Sequence, residues 1–279
     1  NAGGGNDTIV YKLTADLFSG QALVDSSLVG GTGTDILEVG TSGTAFAIAQ
    51  NDVWTGATTV ETIKSVANSA VVTIDLDVTA YAAGIRTVDT SLADSGNNGS
   101  NIIDASEFVG TASLTLIGPD GTGSSAIKGG AGDDTITGGA GIDTIIGGPG
   151  ADNITGGAGA DVITVTTGDT GITAATADTI NGFVTTSDTV AGYLTGAAEA
   201  VEADGGALAD FTALVAAADA VFTAGVGSND GIYISFNAMG TGDAYVLIDE
   251  DDSGSFDAGD TLLILTGINL AGEIAPADF

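Results

Sequence analysis

Residues 129–164 read GGAGDDTIT, GGAGIDTII, GGPGADNIT and GGAGADVIT, four nine-residue units without a gap. Each fits G-G-x-G-x-D-x-U-x, with U a large aliphatic. The sixth positions are Asp134, Asp143, Asp152 and Asp161, and the eighth are Ile136, Ile145, Ile154 and Ile163. The glycine half of a unit must turn tightly, in backbone regions that favour Gly. The Asp-x-Ile-x half predicts a short strand with alternate side chains facing in and out. Two units, 18 residues, then make one coil. Asp134 stacks over Asp152, and Asp143 over Asp161 on the opposite edge. Each turn offers carbonyls and an inward carboxylate to its neighbour. Such an all-oxygen cage suits Ca²⁺, which takes about six to eight oxygens at roughly 2.3–2.6 Å. The stacked Ile residues form a core that one coil alone could not bury. A Gly-rich linker would not hold Asp and Ile in register through four units.

Outward from this block, residues 30–38 read GGTGTDILE, with Asp35 and Leu37 at the matching positions. A partial copy, Gly3 to Val10, carries Asp7. These residues resemble the repeats-in-toxin (RTX) family, whose Ca²⁺-binding parallel β-roll is built on this nonapeptide. The resemblance implies several Ca²⁺ ions held by Asp134, Asp143, Asp152 and Asp161, with turn carbonyls completing the shells. It extends the same role to Asp7 and Asp35. The fold class expected is all-β, a right-handed parallel β-roll or β-solenoid with Ca²⁺-binding turns. A small C-terminal β-rich cap carrying one helix is expected to follow.

Residues 41–128 lack the nonapeptide but hold short β-branched runs at Val60–Val66, Val71–Leu76, Arg86–Asp89, Asn101–Asp104 and Ser113–Ile117. They read as degenerate solenoid coils or as a β-sandwich insertion. Gln50–Thr59, with Trp54, reads as a loop or a cap on the core. After the last repeat come Asp178-Thr-Ile-Asn-Gly-Phe183 and Ser187-Asp-Thr-Val190. These resemble the element that closes the roll in secreted RTX enzymes, with Asn181 where that family often has Asp. The resemblance implies that Asp178 and Asp188 support capping or a final cation. Residues 207–224 place Leu208, Phe211, Leu214, Val215, Ala218, Val221 and Phe222 at helical spacing. Strands are expected at 231–236, 244–248 and 261–265. The division is therefore 1–128, a solenoid with early repeats; 129–190, the roll and its closing element; and 191–279, the cap.

A twelve-residue loop, Asp249-Glu-Asp-Asp-Ser-Gly-Ser-Phe-Asp-Ala-Gly-Asp260, lies between the last two strands. Asp249, Asp251, Ser253, Asp257 and Asp260 fall at positions 1, 3, 5, 9 and 12 of an EF-hand-like loop. Gly254 sits at the sharp turn, and Ser255 is expected to offer its carbonyl. Position 12 is Asp rather than Glu, and the flanks read as strands. An acidic hairpin turn is the alternative.

Charge bounds the function. The 279 residues hold 37 acids, 30 Asp and 7 Glu, against 4 Lys+Arg, with no His and no Cys, for a formal charge of −33. Phosphate affinity comes from Lys and Arg, so a nucleic-acid groove is excluded. Zinc peptidase, Ser-His-Asp and Cys-His chemistry fall with His, and disulfides with Cys. Hydrophobic residues at 43% argue against disorder, despite the charge. Nothing is apolar for long enough to insert in a membrane. Asp75 and Asp77, two apart on an expected strand, could pair as acid and base; decoration or a cation is the simpler reading, and no enzyme is expected. Asn1 opens inside a partial repeat, so a longer parent protein is expected. The tail, Asn269 to Phe279, resembles the uncleaved end of proteins exported by type I secretion. Three functions fit: a subunit of a self-assembling surface layer (S-layer), the export module of an enzyme, or the end of an adhesin. The first resembles this chain in its Thr/Ala/Val-rich β segments. Its partners would be Ca²⁺, other copies of the chain, and a cell-surface polysaccharide reached through upstream regions. The site would be extracellular.

Overall fold

The computed structural model describes residues 2–12, 18–19, 22–23, 28–49, 52, 54, 57–66, 71–93, 100–108, 110–166, 168–192, 200–203, 210–224, 231–236, 242–251 and 253–268. The tail from 269, Leu208 and much of 50–56 lie outside them. Strands joined by tight glycine turns alternate between two sheets. The first takes Thr8–Tyr11, Ile36–Val39, Thr62–Ser65, Thr87–Asp89, Thr115–Ile117, Thr135–Gly139, Asn153–Gly157 and Asp178–Asn181 in parallel order. The second takes Phe46–Ile48, Val72–Asp75, Ser100–Asp104, Ser124–Lys128, Thr144–Ile146, Val162–Thr164 and Thr189–Ala191, also parallel. Residues 46–128 therefore join the roll as degenerate coils in the same sheets, and the sandwich alternative falls.

Register accounts for the core. In the first sheet Leu37, Ile63, Val88, Leu116, Ile136, Ile154 and Ile180 stand one above another. In the second, Ile48, Ile74, Ile103, Ile127, Ile145, Ile163 and Val190 do the same. All are buried in one continuous cluster. A period-two pattern sends each of these inward and its neighbours outward. Because every rung contacts the rungs above and below, a gap is felt by both neighbours. Ile154→Ala is expected to cost ~3 kcal/mol, within the usual range for a truncated core aliphatic. Thermal unfolding of the Ca²⁺-loaded chain would measure it.

The outward faces carry two cross-strand ion pairs. Lys64 Nζ lies 2.6 Å from Asp89 Oδ2, and Lys128 Nζ lies 2.6 Å from Asp104 Oδ2. Burial raises both carboxyls, but the lysine and a serine hydrogen bond outweigh it and hold them below the ordinary range.

A short helix, α1 (Val78–Ala83), interrupts one coil and was not expected. Six residues are too few to show helical periodicity, and only its ends mark it. Asp77 accepts hydrogen bonds from the Thr79 and Ala80 amides, and Gly84 closes it at φ 102°. Asp77 is therefore a helix cap, whereas Asp75 ends a strand opposite Asp104. The two therefore do not stand two apart on one strand, the placement expected for them.

Beyond Asp178–Asn181 the first sheet continues with strands added in reverse chain order. Asp178–Asn181 pairs in parallel with Thr261–Thr266, which pairs antiparallel with Ala244–Asp249, and that strand with Gly231–Phe236. Ala200–Ala203 adds in parallel at the edge. Val246, Ile248, Leu263 and Leu265 face the roll's core. Tyr245, Leu247, Leu262 and Ile264 face away and are covered by Leu214, Ala218 and Phe222. The latter belong to helix α2 (Phe211–Ala224). Burial on both faces explains the unbroken apolar runs of these strands. No helix among the described residues is long and apolar enough to cross a membrane.

Candidate metal centres

The residue two positions before each stacked aliphatic stands at a coil edge, and these residues form two ladders. Entering the first sheet, the rungs are Asp7, Asp35, Glu61, Arg86, Leu114, Asp134, Asp152 and Asp178. Entering the second, they include Asn101, Ser125, Asp143, Asp161 and Asp188.

A carboxylate on one rung accepts the amide of the rung before it. Asp134 N donates to Asp152 Oδ1 at 2.8 Å, and Asp152 N to Asp178 Oδ1 at 2.9 Å. On the other edge Asp143 N donates to Asp161 Oδ1 at 2.9 Å, and Asp161 N to Asp188 Oδ1 at 3.1 Å. Near the N-terminus Asp7 N donates to Asp35 Oδ1 at 2.8 Å, and Asp35 N to Glu61 Oε2 at 2.7 Å. The predicted stacking of Asp134 on Asp152 and of Asp143 on Asp161 is present.

One oxygen of each accepting carboxylate is thereby used; the second oxygens of Asp134 and Asp188 accept the Gly130 and Val184 amides, and several others have no donor. Asp7, Asp35, Asp143, Asp152 and Asp161 each keep a buried Oδ2 without a hydrogen-bond partner. The space beside them is bounded by further acceptors. A Cβ built on Gly129 would lie 2.0 Å from the Gly147 carbonyl oxygen and 2.5 Å from Asp134 Oδ2. On Gly138 it would lie 2.5 Å from the Gly156 oxygen and 2.6 Å from Asp143 Oδ2. Burying an unpaired carboxylate is costly, and the donorless Asp143 Oδ2 borders the same space as the Gly156 carbonyl oxygen rather than an amide. Burial pushes Asp134 and Asp143 up to about 6, Asp178 to about 7 and Asp152 to about 8, and it raises Asp161. Acid neighbours add to the effect at Asp152, where Asp178 and Asp134 stand above and below. Acceptor-only oxygen sets of this kind fit a hard divalent cation.

Close approach of the turns requires Gly. Gly148 has φ 97°, and a Cβ there would lie 2.2 Å from the Gly130 carbonyl oxygen of the coil beneath. Gly148→Ala therefore combines backbone strain with an overlap, and should destabilise the loaded chain by more than about 2 kcal/mol. A calcium-titrated melting curve would detect it.

Arg86 breaks the acidic series. Its guanidinium donates to the Ile85 oxygen at 2.6 Å and the Tyr81 oxygen at 3.2 Å, and sits 4.4 Å from the Tyr81 ring centre. It places a tethered cation on the rung after Glu61, and the rung that follows carries the uncharged Leu114.

In the 249–260 loop, carboxylate oxygens of Asp249, Asp251 and Asp260 lie within 4.8 Å of one another. Asp249 and Asp260 are buried. Asp249 accepts from the Ser253 and Gly254 amides, and Asp260 from those of Glu250 and Asp257. Burial raises Asp260 to about 6. Ser253 Oγ donates to the Ser255 carbonyl at 2.9 Å. Asp257 is exposed and stands outside the carboxylate group. Asp219 of α2 accepts the Phe256 amide at 2.6 Å, which ties the loop to the helix.

Sequence reading missed Glu61, Asn101, Ser125 and Arg86 as rungs. Glu61 was legible: Glu61-Thr-Ile repeats the Asp-Thr-Ile of residues 7–9, 134–136, 143–145 and 178–180. Asn101 accepts the Val72 amide at 2.8 Å, as the acids do for theirs.

Residues 128–163 and 137–172 match the RTX calcium-binding nonapeptide repeat, in four copies. No curated protein matches the chain. The matched segment is thus an RTX repeat array, and the ion that these repeats bind is Ca²⁺.

Proposed function

We propose that this is a secreted, non-catalytic structural protein whose right-handed β-roll folds and assembles on Ca²⁺, as in a surface layer. The observation that carries the reading is the series of buried carboxylate oxygens without donors along both edges of the roll. In this reading Asp134, Asp152 and Asp178 on one edge, and Asp143, Asp161 and Asp188 on the other, hold ions together with glycine-turn carbonyls. Asp7 and Asp35 act alike near the N-terminus. Asp249, Asp251 and Asp260, with Ser253, the Ser255 carbonyl and Asp257, form a further site in the hairpin loop. Residues 1–128, 129–190 and 191–279 serve as solenoid, calcium roll and cap.

The acids repel where Ca²⁺ is scarce, which keeps the chain open for export. Outside the cell, at about millimolar Ca²⁺, extracellular calcium modules, which bind at roughly 10⁻⁴–10⁻³ M, load and fold. A surface rich in Asp also lets Ca²⁺ bridge neighbouring copies, and upstream regions would anchor the layer to polysaccharide. Negative-stain microscopy and sedimentation test assembly: sheets or filaments are expected with Ca²⁺ and not with EDTA. A chain that stays monomeric at high Ca²⁺ and high concentration would remove the structural-layer reading and leave a calcium-dependent export module.

A further inference from the structure

We propose a Ca²⁺ site outside the nonapeptide block, built by Asp35, Glu61 and the Thr59 carbonyl, with Glu61 as a ligand. It rests on the calcium reading of the nonapeptide edges, because it is argued from the same geometry.

Asp35 is fully buried, and its Oδ2 has no hydrogen-bond partner. A Cβ built on Gly30 would lie 2.0 Å from the Thr59 oxygen and 2.5 Å from Asp35 Oδ2. Gly129 stands in the same relation to the Gly147 oxygen and Asp134 Oδ2, at the same 2.0 and 2.5 Å. Thr59 comes from a coil that lacks the G-G-x-G turn, yet its carbonyl reaches the place of a repeat glycine's. It does so at φ 56°, the one positive φ on a non-glycine among the described residues. A β-branched threonine is strained at that φ, and a bound cation would offset the strain. Glu61 occupies the next rung. Its Oε2 accepts the Asp35 amide at 2.7 Å, as Asp152 accepts that of Asp134. The longer Glu side chain suits an enlarged coil, because Asp35 and Glu61 are 26 residues apart against 18 for the repeat pair. Arg86 and Leu114 on the following rungs separate this site from Asp134. Its occupancy should therefore be independent of the nonapeptide ions.

The test uses the full chain, with Ca²⁺ counted by equilibrium dialysis and Tb³⁺ as a luminescent substitute. Trp54, the only tryptophan, lies five residues before Thr59, and the nonapeptide block has none. Tryptophan-selective excitation therefore reports the N-terminal coils. Glu61→Gln and Asp35→Asn keep the amide acceptor and remove the charge. Glu61→Gln should bind one Ca²⁺ fewer than the wild type and Asp35→Asn at least one fewer, because Asp35 also accepts the Asp7 amide on the rung before it; both should lower the Trp54-sensitised Tb³⁺ signal about tenfold through the lost ligand charge. Asp152→Asn should lose Ca²⁺ while keeping that signal. Full ion count and full signal in both Glu61→Gln and Asp35→Asn would overturn the site, even with Asp152→Asn impaired and the nonapeptide reading intact. A wild type that binds no Ca²⁺ would overturn both. Circular dichroism at saturating Ca²⁺ checks each fold, and Asp35→Asn supplies the reading should Glu61→Gln not fold.

Discussion

In EDTA at neutral pH the chain is expected to lose most of its β signal, and to recover it when Ca²⁺ is restored. The size of the effect follows from linkage. A site held at one hundred times its dissociation constant adds about 2.7 kcal/mol to the folded state, so a few such sites equal a whole domain's stability of roughly 5–15 kcal/mol. The unloaded edges work in the opposite direction. Asp152 is buried between Asp134 and Asp178, with one oxygen facing no donor. Without a counterion it must stay protonated or the coils must part. The loss should centre on residues 129–190, where acid rungs are consecutive on both edges. Coils around Arg86 should resist longer, since their cation is covalently attached and donates to the Tyr81 and Ile85 carbonyls. Hydrogen exchange followed by peptide would separate the two regions. Equal circular dichroism and equal protection with and without Ca²⁺ would end the folding-on-calcium reading.

The second large effect is an inverted dependence on pH. Native Asp134, Asp143, Asp178 and Asp152 bind protons up to about 6, 6, 7 and 8, whereas the unfolded carboxyl releases its proton near 3.8. Between these limits the folded chain holds more protons than the unfolded one. Stability without calcium therefore falls as pH rises. The decline starts near pH 4 and is complete only above about pH 8, where Asp152 has ionised. For Asp152 alone it is on the order of 5 kcal/mol. With Ca²⁺ present the sign of the binding term reverses: ions displace protons, so affinity rises over the same interval and loading releases acid. Melting curves in EDTA between pH 4.5 and 8.5 should move down, and those at saturating Ca²⁺ should not. Proton release measured by calorimetry in two buffers gives an independent check. An EDTA melting point that climbs with pH would show that the edge carboxylates are solvated rather than buried.

How much was legible varied with how local the signal is. Asp134, Asp143, Asp152 and Asp161 repeat at nine residues, so both strand register and edge position follow from counting. Asp7 and Asp35 were found by the same pattern. Glu61 was not, because its coil has no glycine turn, and only the short Glu-Thr-Ile carries the likeness. Arg86 could not have been read as a rung: nothing in the chain says that an arginine replaces an acid there. Helix α1 escaped because six residues make less than two turns. Helix α2 was visible in its spacing, but which face of the sheet it covers was not.

The chain alone determined the repeat, its two-unit coil, the inward aliphatics and the acid excess at turn positions. These are consequences of side-chain alternation and glycine turns, which act over a few residues. Only the tertiary structure decided that coils of 18, 26 and 28 residues share one register. Parallel pairing is set by backbone hydrogen bonds and by packing of buried aliphatics between coils, and loops of any length can leave and re-enter at the same rung. The fold also decided which acids are buried with an oxygen unmet. That depends on what the neighbouring coil places over each carboxylate, a relation between residues many positions apart.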